Sequence, residues 1–265
     1  MLLQLAKDSP EQRAIEAGEI DAVIDHTNSN VILLPTARQA LLAKASIANT
    51  LLAGLPGKER QRLLADFEPL ALRFGDVLQE PGAPIRHVYF PIDCVVSLLA
   101  PAGGGQALEV GLVGREGMVG ISLALGVEVS SVRALVRAGG RTLRMKADLF
   151  TEAFHQCPRL QRELYRCADA KLALARQTAA CKCFHAIGGR LARCLLMTSD
   201  RAMSEEFDLT QTFLAATLGV RRATVNEAAG PLQRRNLIRY ARGRIRILDR
   251  TGLEEASCGC YTGVA

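Results

Sequence analysis

The stretch Asp208-Leu-Thr-Gln-Thr-Phe-Leu-Ala-Ala-Thr-Leu-Gly-Val-Arg-Arg-Ala-Thr-Val-Asn-Glu-Ala-Ala-Gly-Pro-Leu-Gln-Arg-Arg-Asn-Leu-Ile238 decides how the rest of this chain is read. A capping Asp or Thr opens a short helix whose Phe213, Leu214 and Leu218 face inward, Gly219 supplies a tight turn, and a second helix starts at about Arg221. Two helices joined by a short glycine-containing turn form a helix-turn-helix, whose second helix fits the major groove of double-stranded DNA. On that second helix Val225, Ala228, Ala229 and Leu232 take the core spacing. Arg221, Arg222, Thr224 and Asn226 are left at the N-terminal end, which reaches base edges and phosphates. Beyond it, Ile238, Tyr240, Ile245 and Ile247 face one way and Arg239, Arg244 and Arg246 the other, with Ala241-Arg242-Gly243 as the turn between them. A hairpin in this place is a wing whose cationic tip lies on the phosphate backbone. An arginine run alone would be a solvated face; helix, glycine turn, helix and basic hairpin in that order favour DNA binding.

Outward from this stretch, 265 residues make room for about two domains. With 49% hydrophobic and 23% charged residues the chain is neither disordered nor fibrous. The formal charge of +6 is unevenly placed, because nine arginines from Gly219 to Arg250 stand against only Glu227 and Asp249. That segment carries +7 and the remainder −1, so the cationic charge is concentrated where DNA would bind. The four histidines (26, 87, 155 and 185) are scattered, and no nucleophile-elbow, Walker or His-Glu-x-x-His pattern is present, so no enzyme is expected. The longest uncharged run, Cys94 to Leu108, is 15 residues broken by Pro101 and three glycines, too short to cross a bilayer. No basic segment leads into an apolar one at the N-terminus, so a cytoplasmic protein without a membrane partner is expected.

Residues 1–45 read as an extension, with a helix opened at Asp8-Ser9-Pro10-Glu11 and ended at Gly18. A hairpin of Asp21–Asp25 and Val31–Leu34 across Thr27-Asn-Ser-Asn30 follows, and the whole resembles the terminal piece of a sensory domain such as a PAS domain. Over 46–156, strand-length runs at 70–74, 77–78, 87–90, 95–99, 107–112 and 131–137 alternate with Gly and Pro, the pattern of an antiparallel roll. Gly103-Gly-Gly105 lies between two of these runs, as a hairpin turn would rather than a phosphate loop. Residues 157–186 hold a long helix from Arg159 to about His185, near 40 Å in length. Its Leu160, Leu164, Ala168, Leu172, Ala175 and Ala179 recur at three- and four-residue steps, a stripe suited to pairing with a second copy; the alternative is a helix lying on its own barrel. Residues 187–257 hold the winged helix-turn-helix and 258–265 a tail. The fold class expected is α+β: an antiparallel roll, a long dimerisation helix and a C-terminal winged helix-turn-helix.

From about residue 46 to 257 the chain resembles the Crp/Fnr family of transcription regulators. The resemblance rests on Asn49-Thr-Leu-Leu-Ala-Gly-Leu-Pro56, the glycine-punctuated roll, the long helix, Leu218-Gly-Val-Arg-Arg-Ala-Thr-Val225 and Gly243-Arg-Ile-Arg-Ile-Leu-Asp-Arg-Thr-Gly-Leu253. It implies a homodimer joined through the long helix, a cyclic-nucleotide-binding-like roll that senses an effector, two-fold-symmetric promoter sites and RNA polymerase as a partner. Thr210 and Thr224 match the family's phosphate-contacting residues, Arg222 its base-reading arginine, and Arg242 and Arg244 its wing. Ala223 replaces a base-reading Glu of many members, and Glu227 stands where cyclic-AMP-responsive members have Arg. A Glu accepts from cytosine N4, so the operator should differ from theirs.

The expected effector pocket is Gly120, Ile121, Ser122 and Arg133, where the family carries a Glu for the ribose and an Arg for the cyclic phosphate. Ile121 stands at the Glu position and Arg133 one place late, so cyclic AMP is not the expected effector. The first 93 residues contain no cysteine, which excludes the iron–sulfur motif of the oxygen-sensing members. Cys181 and His185 lie four apart on one helical face, with Cys183 between them, and Cys258 and Cys260 form a second incomplete pair. The two pairs together, or across a dimer, could make four metal ligands; buried structural cysteines are the default. The alternative function is a cyclic-nucleotide or metal/thiol-redox sensing module acting through a protein partner.

Overall fold

The computed structural model describes residues 22–25, 30–33, 35–103 and 106–261. Strands β1 (Ala22–Asp25) and β2 (Asn30–Leu33) pair antiparallel from Ala22↔Leu33 to Asp25↔Asn30, as expected for the N-terminal hairpin. The expected helix from Pro10 to Gly18 and the turn at 27–29 lie outside the described residues.

Helix α1 (Pro35–Ala48) runs straight across the division drawn at 45/46. Its Leu42 is fully buried with Leu51, Leu52 and Leu64, so this helix shares the lower core of the roll. Short helices α2 (Thr50–Ala53) and α3 (Gly57–Leu64) follow. Asn49 caps α2 by accepting from Leu52 N at 3.1 Å, while its amide donates to the carbonyls of Pro91 at 2.8 Å and Gly117 at 3.0 Å.

The roll comprises β3 (Glu68–Leu72), β4 (Val77–Gln79), β5 (His87–Pro91), β6 (Val95–Gly103), β7 (Gln106–Val113), β8 (Arg133–Ala138) and β9 (Gly140–Lys146). Every ladder is antiparallel, in two sheets of order β3-β9-β5 and β4-β8-β6-β7. Strand β9 is absent from the sequence expectation; its charged Arg141, Arg144 and Lys146 conceal Leu143 and Met145, which are buried under the helices. Gly103 pairs with Gln106 across the expected glycine turn, whose residues 104–105 lie outside the described residues. One core of the roll joins Leu72, Tyr89, Val96, Val113 and Val136, and a second lies beneath the helices around Phe67, Phe90 and Phe150.

Helix α4 (Ala147–Gln156) leads into α5 (Pro158–Phe184), 27 residues or about 40 Å long. The expected stripe is divided: Ala168 and Ala175 are half-buried, and Leu172 and Ala179 are exposed. Leu160 and Leu164 are buried in the protein's own lower core, and the exposed seam passes through Tyr165, Asp169, Leu172, Arg176, Ala179 and Cys183. These still recur in alternating four- and three-residue steps, so the spacing survives while the face rotates.

The C-terminal unit is α6 (Ile187–Ala202), β10 (Glu206–Asp208), α7 (Gln211–Leu218), α8 (Arg222–Arg234), β11 (Ile238–Ala241), β12 (Arg244–Ile247) and α9 (Arg250–Ala256). Its sheet has the order β10-β12-β11, with β10 too short to announce itself in sequence. A separate core joins Leu191, Leu195, Phe207, Leu214, Val225 and Ile245. The tail folds back, with Cys258 N donating to Gly189 O at 3.2 Å and Cys260 buried.

Candidate nucleic-acid interface

Thr210 caps α7, its hydroxyl oxygen accepting from Phe213 N at 3.2 Å. Gly219 closes that helix in the left-handed conformation, φ 67°, as the tight turn requires. A Cβ there would also fall 2.8 Å from Leu108 Cδ1, so the reader's turn is pressed against strand β7 of the roll. Helix α8 then begins with extended Arg221 as its N-cap residue and no side-chain cap bond. The N–H groups of its first turn therefore keep their partial positive charge for an incoming anion. Arg221 and Arg222 stand exposed at this end, and Val225, Ala228, Ala229 and Leu232 are buried beneath it.

Thr210, Arg222 and Arg242 line one concave surface of about 430 Å³, together with Gln211, Thr212, Tyr240 and Gly243. Gln211, Thr212 and Tyr240 were not singled out in sequence, although Tyr240 stands in the wing at a position read only as packing. Its hydroxyl is buried without a hydrogen-bond partner among the described residues. The wing turn is two residues, Arg242 (φ 51°) and Gly243 (φ 79°), because Ala241 pairs with Arg244 and belongs to the strand. This corrects the expected three-residue turn, and the positive φ pair is the primed type that a two-residue hairpin favours.

Other expected contact residues have partners of their own. Asn226 Oδ1 accepts from Gln211 Nε2, bridging α8 to α7. Arg244 pairs with Asp208 at 3.1 Å and Glu206 at 3.6 Å, so β10 answers part of the wing's charge. Thr224 is half-buried in the first turn of α8, and Glu227 is exposed one turn further on. Arg250 lies off this surface, bound to Asp200 and Glu254. The +7 of the segment is thus not all presented on one face.

In the roll, Gly120 (φ 91°) begins a 3-10 turn, Ile121–Leu125, with Ile121 packed on the lower core. The space above Gly120 is taken by Gln79, whose Nε2 would lie 3.1 Å from an added Cβ. Ser122 accepts Val127 N through its carbonyl, and Arg133 Nε pairs with Glu80 at 3.2 Å. Of the four expected pocket residues, Gly120 is thus covered by Gln79, and Arg133, the one cation among them, already has the Glu80 carboxylate.

A cavity of about 50 Å³ lies where the roll, α5, α6 and α7 meet, lined by Glu109, Arg137, Lys182, Arg190, Arg193 and Thr217 among others. Arg137, only 1% exposed, donates to Glu109 at 3.2 Å and to Cys194 Sγ at 2.8 Å, and its guanidinium lies 5.6 Å from the Phe213 ring centre. Burial opposes its charge, yet Cys194 and Glu109 prevail and the guanidinium is held above its usual range. Lys182 donates to the Glu109 carbonyl at 2.7 Å, and burial pulls its ammonium below the usual lysine range. Sequence reading missed this cluster, because Glu109 and Arg137 sit in runs that read as ordinary strands.

Of the five candidate metal ligands, Cys181, His185, Cys258 and Cys260 converge, their donor atoms all within 4.8 Å of one another. Cys183 is exposed and takes no part. Burial, then the Cys258 thiol, pushes the Cys181 thiol up to about 12. Cys94, in the roll, is likewise pushed up to about 12, by burial and then by Asp93.

A double-sheet roll, a long helix and a winged helix-turn-helix whose arginines line an open groove make up the frame of a DNA-binding protein. Residues 189–256 match the Crp-like helix-turn-helix domain. The transcriptional regulator SdrP of Thermus thermophilus is 28% identical over 197 residues, which are 71% of this chain and 93% of that protein. A solved Crp/Fnr-family regulator from Thermus thermophilus is 27% identical, with a TM-score of 0.59 over 72% of this chain and 98% of its own. FixK2 of Bradyrhizobium japonicum shares the fold, with a TM-score of 0.61 at 15% identity over 73% of this chain and 98% of its own. The chain carries a Crp-like helix-turn-helix domain and is similar to transcriptional regulators of the Crp/Fnr family. Among the described residues no helix is long and apolar enough to cross a membrane.

Proposed function

We propose that this chain works in the cytoplasm as a homodimer on two-fold-symmetric promoter sites, with the roll (46–156) sensing an effector, residues 157–186 pairing the copies and residues 187–257 reading DNA. The observation that carries the reading is the single groove lined by Thr210, Arg222, Tyr240 and Arg242 beside the N-terminus of α8. Arg222 reads a base edge there, with Arg221, Asn226 and Glu227 flanking it, while Thr210, Thr224, Arg242 and Arg244 hold phosphates. Pairing through α5 is supported by Tyr165 and Leu172, which are 52% and 48% exposed along its outer face. Control of transcription from such a site involves RNA polymerase as the partner.

The effector is not cyclic AMP. Glu80 neutralises Arg133, Gln79 covers Gly120, and Ile121 offers no ribose acceptor, so a cyclic phosphate placed there would meet a carboxylate. Calorimetry with cyclic AMP should give no saturable heat, and micromolar binding would overturn this part. Selection of bound sites from random duplex DNA tests the whole. A two-fold-symmetric motif with half-sites about one helical turn apart supports it, whereas unenriched sequence refutes specific reading.

A further inference from the structure

The end of α5 and the C-terminal tail bring four soft donor atoms together at a corner that DNA reading does not use. Cys181 lies in the last turn of α5 and His185 is the residue that caps that helix, while Cys258 and Cys260 arrive after α9. Cys181 Sγ lies 3.5 Å from Cys258 Sγ, and Cys260 Sγ lies 3.3 Å from His185 Nδ1. Tetrahedral zinc, with bonds of about 2.3 Å to sulfur and about 2.0 Å to nitrogen, separates two sulfurs by about 3.8 Å and sulfur from nitrogen by about 3.5 Å. Both separations already lie within a few tenths of an ångström of those edges.

The surroundings are built for an anion. Arg193 on α6 is 7% exposed, and its Nε and Nη2 have no hydrogen-bond partner among the described residues. It acts electrostatically on Cys181, and both residues line the cavity at the junction of the domains. A buried guanidinium with two of its three nitrogens lacking an acceptor is costly beside neutral thiols. Three thiolates, a neutral imidazole and a divalent cation sum to −1, which answers Arg193. Gln177 Nε2 also donates to Cys260 Sγ at 2.8 Å, the kind of outer bond that steadies a metal-bound sulfur. Gly189 lets the tail approach, since a Cβ there would fall 3.1 Å from Cys258 N.

We propose that Cys181, His185, Cys258 and Cys260 form a closed Cys3His site for a borderline-soft divalent cation, zinc by preference, that clamps the C-terminal tail to the corner between α5 and α6. Four protein ligands leave no open position, so the metal is structural. On loading, the three thiol protons pass to solvent and no electron moves. Only His185 and Ala186 separate α5 from α6, so the clamp fixes the angle at which the long helix carries the DNA-reading unit.

The full chain, purified anaerobically without chelator, should hold about one zinc per chain by elemental analysis. Replacement by cobalt(II) should give the visible bands of a tetrahedral thiolate site. Cys258→Ser and Cys260→Ser should each cut bound metal at least tenfold, while Cys183→Ser keeps it. Should those variants not fold, chelation of the wild-type chain must expose three additional fast-reacting thiols. A wild-type chain that takes up neither zinc nor cobalt, or in which Cys181 and Cys258 are found joined as a disulfide, overturns the proposal.

Discussion

Arg222 and Arg242 line the same groove, yet their surroundings assign them different work. Arg222 stands at the N-terminal end of α8, from which the proposed contact is a bidentate bond to guanine, and Arg242 stands at the turn of the wing, from which the proposed contact is a phosphate. Arg222→Ala should cost about 1–3 kcal/mol on the selected site and relax preference at one symmetric pair of positions. Arg242→Ala should weaken all duplexes alike and flatten the salt dependence by about one unit per wing. Equal, sequence-independent losses in a fluorescence titration would remove Arg222 as a reader. The backbone at Arg242 adds an independent check, because φ 51° is disfavoured for a non-glycine side chain. Arg242→Asn should therefore raise the melting temperature by a few degrees, for about 0.5–1 kcal/mol, while lowering affinity. Inside the molecule, Glu109→Gln would leave the buried Arg137 guanidinium without its counter-charge. The loss in a urea titration should be about 3 kcal/mol, as for a broken buried pair.

Helix α5 carries two apolar edges with different partners. Leu164 is wholly buried in the lower core, so Leu164→Ala should cost about 2–5 kcal/mol of stability. Leu172 lies on the outer seam, so Leu172→Asp should leave the fold intact and convert dimer to monomer in light scattering. A dimer unaffected by Leu172→Asp would place the pairing surface elsewhere. The stripe in the sequence rests on aliphatic residues alone: Leu172 and Ala179 fall on the exposed seam, Leu160 and Leu164 do not, and the seam also includes Tyr165, Asp169 and Arg176. The helix-turn-helix and wing were legible because their signals are local: Gly219 and Gly243 mark turns, and burial follows within a few residues. Strand β9 was not, since its partners β3 and β5 lie more than fifty residues away and its outward residues are charged. Metal-ligand spacing showed Cys181 with His185 in sequence, but only the folded tail brings Cys258 and Cys260 to them. Cys183, two residues from Cys181, points to another side of the helix, as residues at that spacing do.

At the scale of the molecule, the roll and the DNA-reading unit have separate cores but one shared seam. Gly219 presses on Leu108, Phe213 packs against Phe74 and under the Arg137 guanidinium, and Arg190 donates to the Leu218 carbonyl. Movement of β7 or β8 therefore reaches the turn of the reader through side chains in direct contact. The outer face of α5 has a further effect that no single residue carries. If two copies must pair there before either groove can engage a symmetric site, protomer concentration becomes a variable of DNA binding. Below the dissociation constant of the pair, occupancy should rise with nearly the square of total protein; above it, the isotherm should become a simple hyperbola. A titration that stays hyperbolic at every dilution would mean that the chains assemble on the duplex independently, and the abundance of this regulator would then set its output in proportion rather than as a threshold.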